Sequence, residues 1–390
     1  MTAAEFNRRT ENRTERGGFH LLQKGKLDIT FLTLLCIILV TGLVMLFSAS
    51  TSYAQSYAPG HNPYYYIVRQ FAFALAGLIA MFLISGIDYH IYRKLAWWIY
   101  GIAVALLIAV LILPPMKEGF HRWIVLGPIN FQPSEIAKFA IIALFAALIS
   151  INYKRMERFT FGIVLFGVLL AVVCGLVVVE THLSATVLIF AIGVALMIVG
   201  GIKLRWVGLA GISGAAMGAV AILTGVVSYG SGRIQNWLNP WNDPADGGFQ
   251  TIQSLLAIGS GGFLGQGLGK SHQKHLWLPE PQNDFIFAIV CEELGFIGAV
   301  IIIVLFALLI WRGFVIAMRA PDKFGSLLVI GITFQVGLQT ALNILVVTNS
   351  IPNTGISLPF FSYGGTSLLM LLAEMGIILS VSRSSTVMKR

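Results

Sequence analysis

Charge is what this 390-residue chain has least of: Asp, Glu, Lys and Arg make up 11% of it, where a soluble domain uses about 25%. A hydrated surface cannot be built from so little, which excludes a set of ordinary soluble domains and also a disordered chain. Cysteine is equally scarce. Cys36, Cys174 and Cys291 each lie in or beside an apolar run, so a disulfide scaffold is excluded and small buried packing residues remain. No His or Cys spacing demands a metal ion. No period of 20 to 50 residues repeats, and no linker sets a soluble domain apart.

What the chain has instead is hydrocarbon: 57% hydrophobic residues and a mean hydropathy of +0.82. A helix crossing roughly 30 Å of lipid needs about 20 apolar residues. Ten runs approach that length, at 29–49, 71–87, 95–113, 136–151, 161–179, 183–202, 206–227, 285–311, 325–347 and 366–381, the fourth and tenth expected to extend by a turn. The predicted fold is therefore an all-α polytopic membrane protein, a bundle of ten transmembrane helices. A basic leader at 1–26 precedes it, and a large loop at 228–283 joins the seventh and eighth spans. The first run exceeds the roughly 7 to 15 residues of a signal-peptide core and reads as a retained span. Nineteen of the 26 Lys and Arg residues fall at one set of span ends and five at the other, which predicts that both termini are cytoplasmic. The net charge of +9 then reflects topology and attraction to anionic lipid rather than nucleic acid. All eight Trp residues fall at predicted span ends or in loops, as interfacial rings do.

Longer loops lie on the outer side, and chemistry is expected there. Residues 249–258 have helical apolar spacing and predict a short helix at the membrane surface or packed on the span tops. Gly269-Lys270-Ser271 imitates the end of a P-loop, but Leu264 stands where the first glycine belongs, and the glycines instead suit close backbone approach. Asp284 falls at the mouth of the eighth span, where it could cap the helix, act as a base, or both. Glu292 and Glu293 lie deeper, in an apolar stretch where a lone carboxylate costs on the order of 3 kcal/mol. Glu135 and Lys138, at i, i+3 in the fourth span, are candidate partners for them, or a simple pair with each other.

These residues carry a resemblance. Arg122-Trp123-Ile124, Gln132-Pro133-Ser134-Glu135 with Lys138, Trp237-Leu238-Asn239-Pro240-Trp241, Gln250 with Gln253-Ser254, Leu278-Pro279-Glu280, Asp284-Phe285, Glu292-Glu293-Leu294-Gly295, Thr354-Gly355 and Ser362-Tyr363-Gly364-Gly365 stand in one order. Together they resemble the SEDS proteins (shape, elongation, division and sporulation), closer to the FtsW-like than the RodA-like branch. Where that family often shows Pro-Asp-x-Gly between the fifth and sixth spans, this chain has Glu180-Thr181-His182-Leu183-Ser184.

The resemblance implies a peptidoglycan glycosyltransferase that polymerises lipid II at the outer face and pairs with a class B penicillin-binding protein and other division or elongation membrane proteins. It implies that Asp284 is catalytic. A hydroxyl nucleophile needs a base, and the leaving diphosphate needs positive charge, for which Lys138, Arg122, Arg233, Lys270 and Lys274 are candidates; a divalent cation such as Mg2+ or Mn2+ is left open. Glu135, Gln253, Ser254, Glu280, Ser362 and Tyr363 complete the candidate substrate-binding set, the last two chiefly as shapers of the last outer loop. The same charges could instead line a lipid II flippase, and a non-enzymatic scaffold is the third alternative.

Overall fold

The computed structural model describes residues 25–113, 122–126, 129–203, 205–206, 208 and 236–387. Its helices are α1 (Ile29–Tyr57), α2 (Tyr65–Ser85), α3 (His90–Ile112), α4 (Pro133–Asn152), α5 (Phe166–Val179), α6 (Leu183–Val199), α7 (Phe249–Gly261), α8 (Ile286–Met318), α9 (Lys323–Val347) and α10 (Gly365–Val387). Among the described residues eight helices are long and apolar enough to span a membrane, α5 counting with the π turn Thr160–Leu165 before it. The 17-residue α6 is apolar but shorter. The expected span at 206–227 lies, but for Trp206 and Gly208, outside the described residues, as does the leader up to residue 24.

Three expectations are corrected. The helices outrun the apolar stretches: α1 continues to Tyr57 and stops before Pro59, and α8 continues to Met318. Hydropathy marks the edge of the hydrocarbon, whereas helical hydrogen bonding stops only at a breaker. The fold is also not purely helical, because strands β1 (Ile124–Leu126) and β2 (Ile129–Phe131) form an antiparallel hairpin just before α4. Third, Glu292 and Glu293 do not meet the fourth span.

The bundle is centred on α4, whose residues from Ala137 to Ala147 are all buried and which touches α3, α6 and α9. Its sequence explains the position: Ala at 137, 140, 143, 146 and 147 lets neighbouring helices close in where lipid offers no hydrophobic drive to pack. At one end of the bundle Asp28 caps α1 by accepting from Phe31 N–H at 2.9 Å and receives the Arg312 fork from α8 at 2.7 and 3.0 Å. At that same end Asp322 caps α9 and accepts from the Tyr89 hydroxyl and His90. These bonds hold the Asp322 carboxyl down at about 2 against the effect of its burial.

At the opposite end the loop between α7 and α8 is pulled down onto the helices. Glu293 accepts from Ser48 Oγ of α1 at 2.7 Å and pairs with Lys274 Nζ at 2.8 Å, and Lys274 also donates to Ser48 at 3.0 Å. Glu292 accepts from the Ser271 hydroxyl and from His272 N–H at 2.9 Å. The two acids therefore find their partners in the loop and α1, and Glu135 pairs within α4 with Lys138 at 2.9 Å. Just below, α8 breaks at Gly295, where φ is +67° and a side chain would strike the backbone of Leu264 and Gly265. The loop supplies the hydrogen bonds that the break frees, Gln266 and Gly267 N–H donating to the Glu292 and Glu293 carbonyls at 2.9 and 3.0 Å, and Gly262 accepting from Phe296. The glycine run is thus a backbone-to-backbone crossing, as its composition suggests.

Removing one member of a buried ion pair costs about 3–5 kcal/mol, because the other charge stays behind unpaired. Lys274→Met should therefore lower the midpoint of thermal unfolding in detergent, and Glu293→Gln added to it should restore part of the loss. Independent, additive losses in the double variant would contradict the clamp.

Candidate functional site

The turn at 281–285 brings Asp284 to the top of α8, and Phe285 rather than Asp284 is the N-cap. The capping alternative is therefore not realised. The carboxylate makes no hydrogen bond to a described residue, while its backbone carbonyl accepts from Asn343 Nδ2 of α9 at 2.7 Å. The same Asn343 amide donates to the Ile356 carbonyl at 2.6 Å. One buried side chain thus fixes Asp284 and the loop before α10 together.

Between them is a cavity of about 220 Å³, lined among the described residues by Arg122, Thr181, Leu183, Ser184, Gln250, Asp284, Asn353, Thr354 and Gly355. Leu183 is its one aliphatic member. Gly355 has φ of +67°, and a Cβ there would stand 3.2 Å from Asp284 Oδ2, so the loop crosses over the carboxylate at a distance that suits glycine. Gln250 of α7 accepts from Asn353 Nδ2 at 3.1 Å and donates to the Pro279 carbonyl at 3.4 Å, joining this helix to two loops around the opening.

Arg122 enters from the chain before β1, its Nη2 donating to the Thr181 carbonyl. Asp284 is half-buried by exposed area yet densely walled. Desolvation first, then repulsion by Glu280, raise its carboxyl to about 6 against the lowering pull of Arg122. Glu180 is 1% exposed, its carboxylate oxygens have no hydrogen-bond partner among the described residues, and burial raises it to about 8. His182 bonds Gln132, and burial, then Arg122 and Lys138, lower it to about 3. Burial thus favours the neutral form of both groups, and among the described lining residues Arg122 and Asp284 are the ionisable ones.

Of the other expected site residues, Glu135 and Lys138 are buried with each other, Ser367 donating to Glu135 at 3.0 Å and Lys138 to Gln339 at 3.5 Å. Lys274 is in the Glu293 clamp. Ser254 Oγ donates to the Val347 carbonyl at the end of α9, Gln253 is buried in α7, and Lys270 is exposed on the loop. Glu280 accepts from Asn283 at 2.8 Å. Ser362 accepts from Leu358 N–H, and Tyr363 N–H donates to the Gln282 carbonyl, both at 2.8 Å. Arg233 lies outside the described residues. Among the described residues no group of three or more His, Cys, Asp or Glu is placed to hold a metal ion. Thr181, Ser184 and Asn353 line the cavity without having been expected there. The first two belong to the stretch where the sequence departs from the family pattern, and that departure gave no sign of a place at the cavity.

Residues 28–387 match the family model described as cell cycle protein, FtsW/RodA/SpoVE. The chain is 41% identical to stage V sporulation protein E of Bacillus subtilis over 92% of its own length and 97% of that protein's. It is 36% identical to a probable peptidoglycan glycosyltransferase FtsW of Geobacter sp. strain M18, over 91% of this chain and 96% of that one. Solved structures similar to the chain include the following two. One is a chain from work on structural coordination of polymerization and crosslinking by a peptidoglycan synthase complex (TM-score 0.72, 28% identity, 92% of this chain and 98% of that one). The other is the rod shape determining protein RodA of Thermus thermophilus (TM-score 0.67, 27% identity, 92% and 97%).

Arg122 holds the Asp284 pKa down, so its removal has a fixed sign. With Asp carboxyls isotopically labelled, infrared or carbon NMR titration should find Asp284 half-protonated near pH 6, and Arg122→Gln should move that midpoint upward. A midpoint at the ordinary carboxylate value, or an unmoved one, would refute this account of the cavity.

Proposed function

The chain belongs to the FtsW/RodA/SpoVE family of cell cycle proteins and is a peptidoglycan glycosyltransferase of wall synthesis; on that premise we propose that it polymerises lipid II, with Asp284 as the base, in the outer-face cavity. The observation that carries the reading is that Asp284 and Arg122 line the same polar cavity. The 4-hydroxyl of the incoming sugar lies beside Asp284, which takes its proton as the oxygen attacks the anomeric carbon of the growing strand. The bond to undecaprenyl diphosphate breaks on the opposite face, so the configuration inverts. Arg122 stabilises the departing diphosphate; a planar fork suits phosphate oxygens.

The raised pKa supports this role. A carboxylate at its usual pKa is a poor base, and one near 6 is a stronger base that is still ionised at neutral pH. Asn343 keeps it aimed through the backbone. Ten spans with both termini cytoplasmic, which the distribution of Lys and Arg favours, put this cavity on the outer side. The similarity to a chain of a peptidoglycan synthase complex supports a class B penicillin-binding protein as partner.

Purified protein given labelled lipid II, with and without that partner, should make glycan. Asp284→Asn should reduce the rate by at least about 100-fold, the lower range for loss of a general base, with unchanged thermal stability; a variant that still polymerises removes Asp284 from the chemistry. The base works ionised and its pKa is raised, so the wild-type rate should be flat above pH 7 and fall about tenfold per unit below pH 6. An acid limb near pH 4 would mean that the carboxyl is not the titrating group. Gly355→Val should place methyl groups against Asp284 and suppress turnover while the chain still folds, and full activity in that variant would show that substrate does not pass beneath this loop.

A further inference from the structure

The cavity is small beside its substrate. About 220 Å³ falls below the roughly 300–1,000 Å³ of pockets that enclose a whole drug-sized ligand, so it suits the reacting sugar and leaves the strand outside. The outer end of α1 and the chain after it offer a surface for the rest. From Thr51 to Tyr66 there is no Leu, Ile, Val, Met, Phe or Trp; the large side chains are Tyr53, Tyr57, Tyr64, Tyr65 and Tyr66, set among Ser, Gln, Asn and His.

These rings form a row. Tyr53 and Tyr57, at i, i+4 on α1, have centroids 4.7 Å apart, and Tyr53 is 6.1 Å from Tyr66 of α2. Tyr66 meets Tyr363 of the last outer loop edge-on at 4.8 Å. Tyr57 is 66% exposed, so the far end of the row is open.

One contact ties the near end to the cavity. Tyr363 N–H donates to the Gln282 carbonyl, two residues before Asp284. The row therefore starts beside the reacting carboxylate and leads away over the outer surface.

Lipid is a poor match for it. Tyr57 stands eight residues beyond Ala49, where the apolar run of α1 ends, or about 12 Å of helix. Interfacial aromatic belts sit at headgroup level against hydrocarbon, and this segment has no aliphatic residue larger than alanine apart from proline. Pyranose rings fit better. Their C–H faces lie on the negative faces of aromatic rings, and their hydroxyl and acetamido groups reach the neighbouring hydroxyls and amides.

We propose that Tyr53, Tyr57, Tyr66 and Tyr363 form a platform for the amino-sugar strand, holding the glycan beside Asp284 between additions. The platform rests on the reading of Asp284 as the polymerising base, and its test separates the two. Full-length protein in nanodiscs is titrated with a peptidoglycan octasaccharide released from its lipid, and the length of glycan made from lipid II is measured on gels. Tyr53→Ala/Tyr57→Ala should bind the octasaccharide about tenfold more weakly and make strands several-fold shorter, whereas Tyr53→Phe/Tyr57→Phe, which keeps the rings, should retain most of the binding. Asp284→Asn should make no polymer yet still bind the octasaccharide, so loss of the base and loss of the platform give different results. Wild-type octasaccharide affinity in the alanine variant overturns the proposal. So does a variant that sheds its transpeptidase partner, or loses thermal stability in lipid, with glycan binding intact, because the row would then be a protein interface or a lipid belt.

Discussion

Two adjacent acids inside an apolar helix are the constraint from which the cavity-bearing half of this protein follows. Glu292 and Glu293 cannot remain unpaired among hydrocarbon, and the chain meets the demand by lowering a loop onto them. Lys274, Ser271 and Ser48 satisfy the carboxylates, and the glycine crossing at Gly265 and Gly295 satisfies the backbone of the helix that they interrupt. The loop returns from this anchorage through Leu278-Pro279-Glu280 to Asp284. Asp284 is thus held by an anchor below, by Asn343 at its backbone and by Gly355 across its face.

Charge at the cavity is kept to a minimum. Glu180 and His182 flank it, and burial favours the neutral form of both. Arg122 lowers the pKa of both and also lowers that of the Asp284 carboxyl. It holds the carboxyl low enough to be ionised at neutral pH, while desolvation and Glu280 hold it high enough to accept a proton. The same guanidinium serves the leaving group in the proposed reaction, so formation of the glycosidic bond and departure of the diphosphate depend on one short stretch of chain before β1.

Much of this was legible in the residues. The apolar runs located the helices, and the string from Leu278 to Asp284 singled out the acid that lines the cavity. Less legible was which charges are structural. Lys138 and Lys274 look as suitable for a phosphate as Arg122 does, until the structure shows each in a buried pair. Gln250, which belongs to a quoted motif, and Asn353, which belongs to none, bridge the rim. Thr181 and Ser184 sit in a turn whose unusual composition was noted but whose position at the cavity was not.

The sequence by itself determined what can be decided within one helix length: which stretches enter lipid, which ends keep positive charge, and where a carboxylate must be sheltered. Those follow from transfer free energies of local segments. Only the tertiary structure decided which cation faces Asp284, which acids are used in holding the loop, and that the tyrosines of α1, α2 and the last loop form one row. Those depend on segments far apart in the chain being packed side by side, and in a bilayer the packing is set by small residues and buried polar bonds rather than by hydropathy.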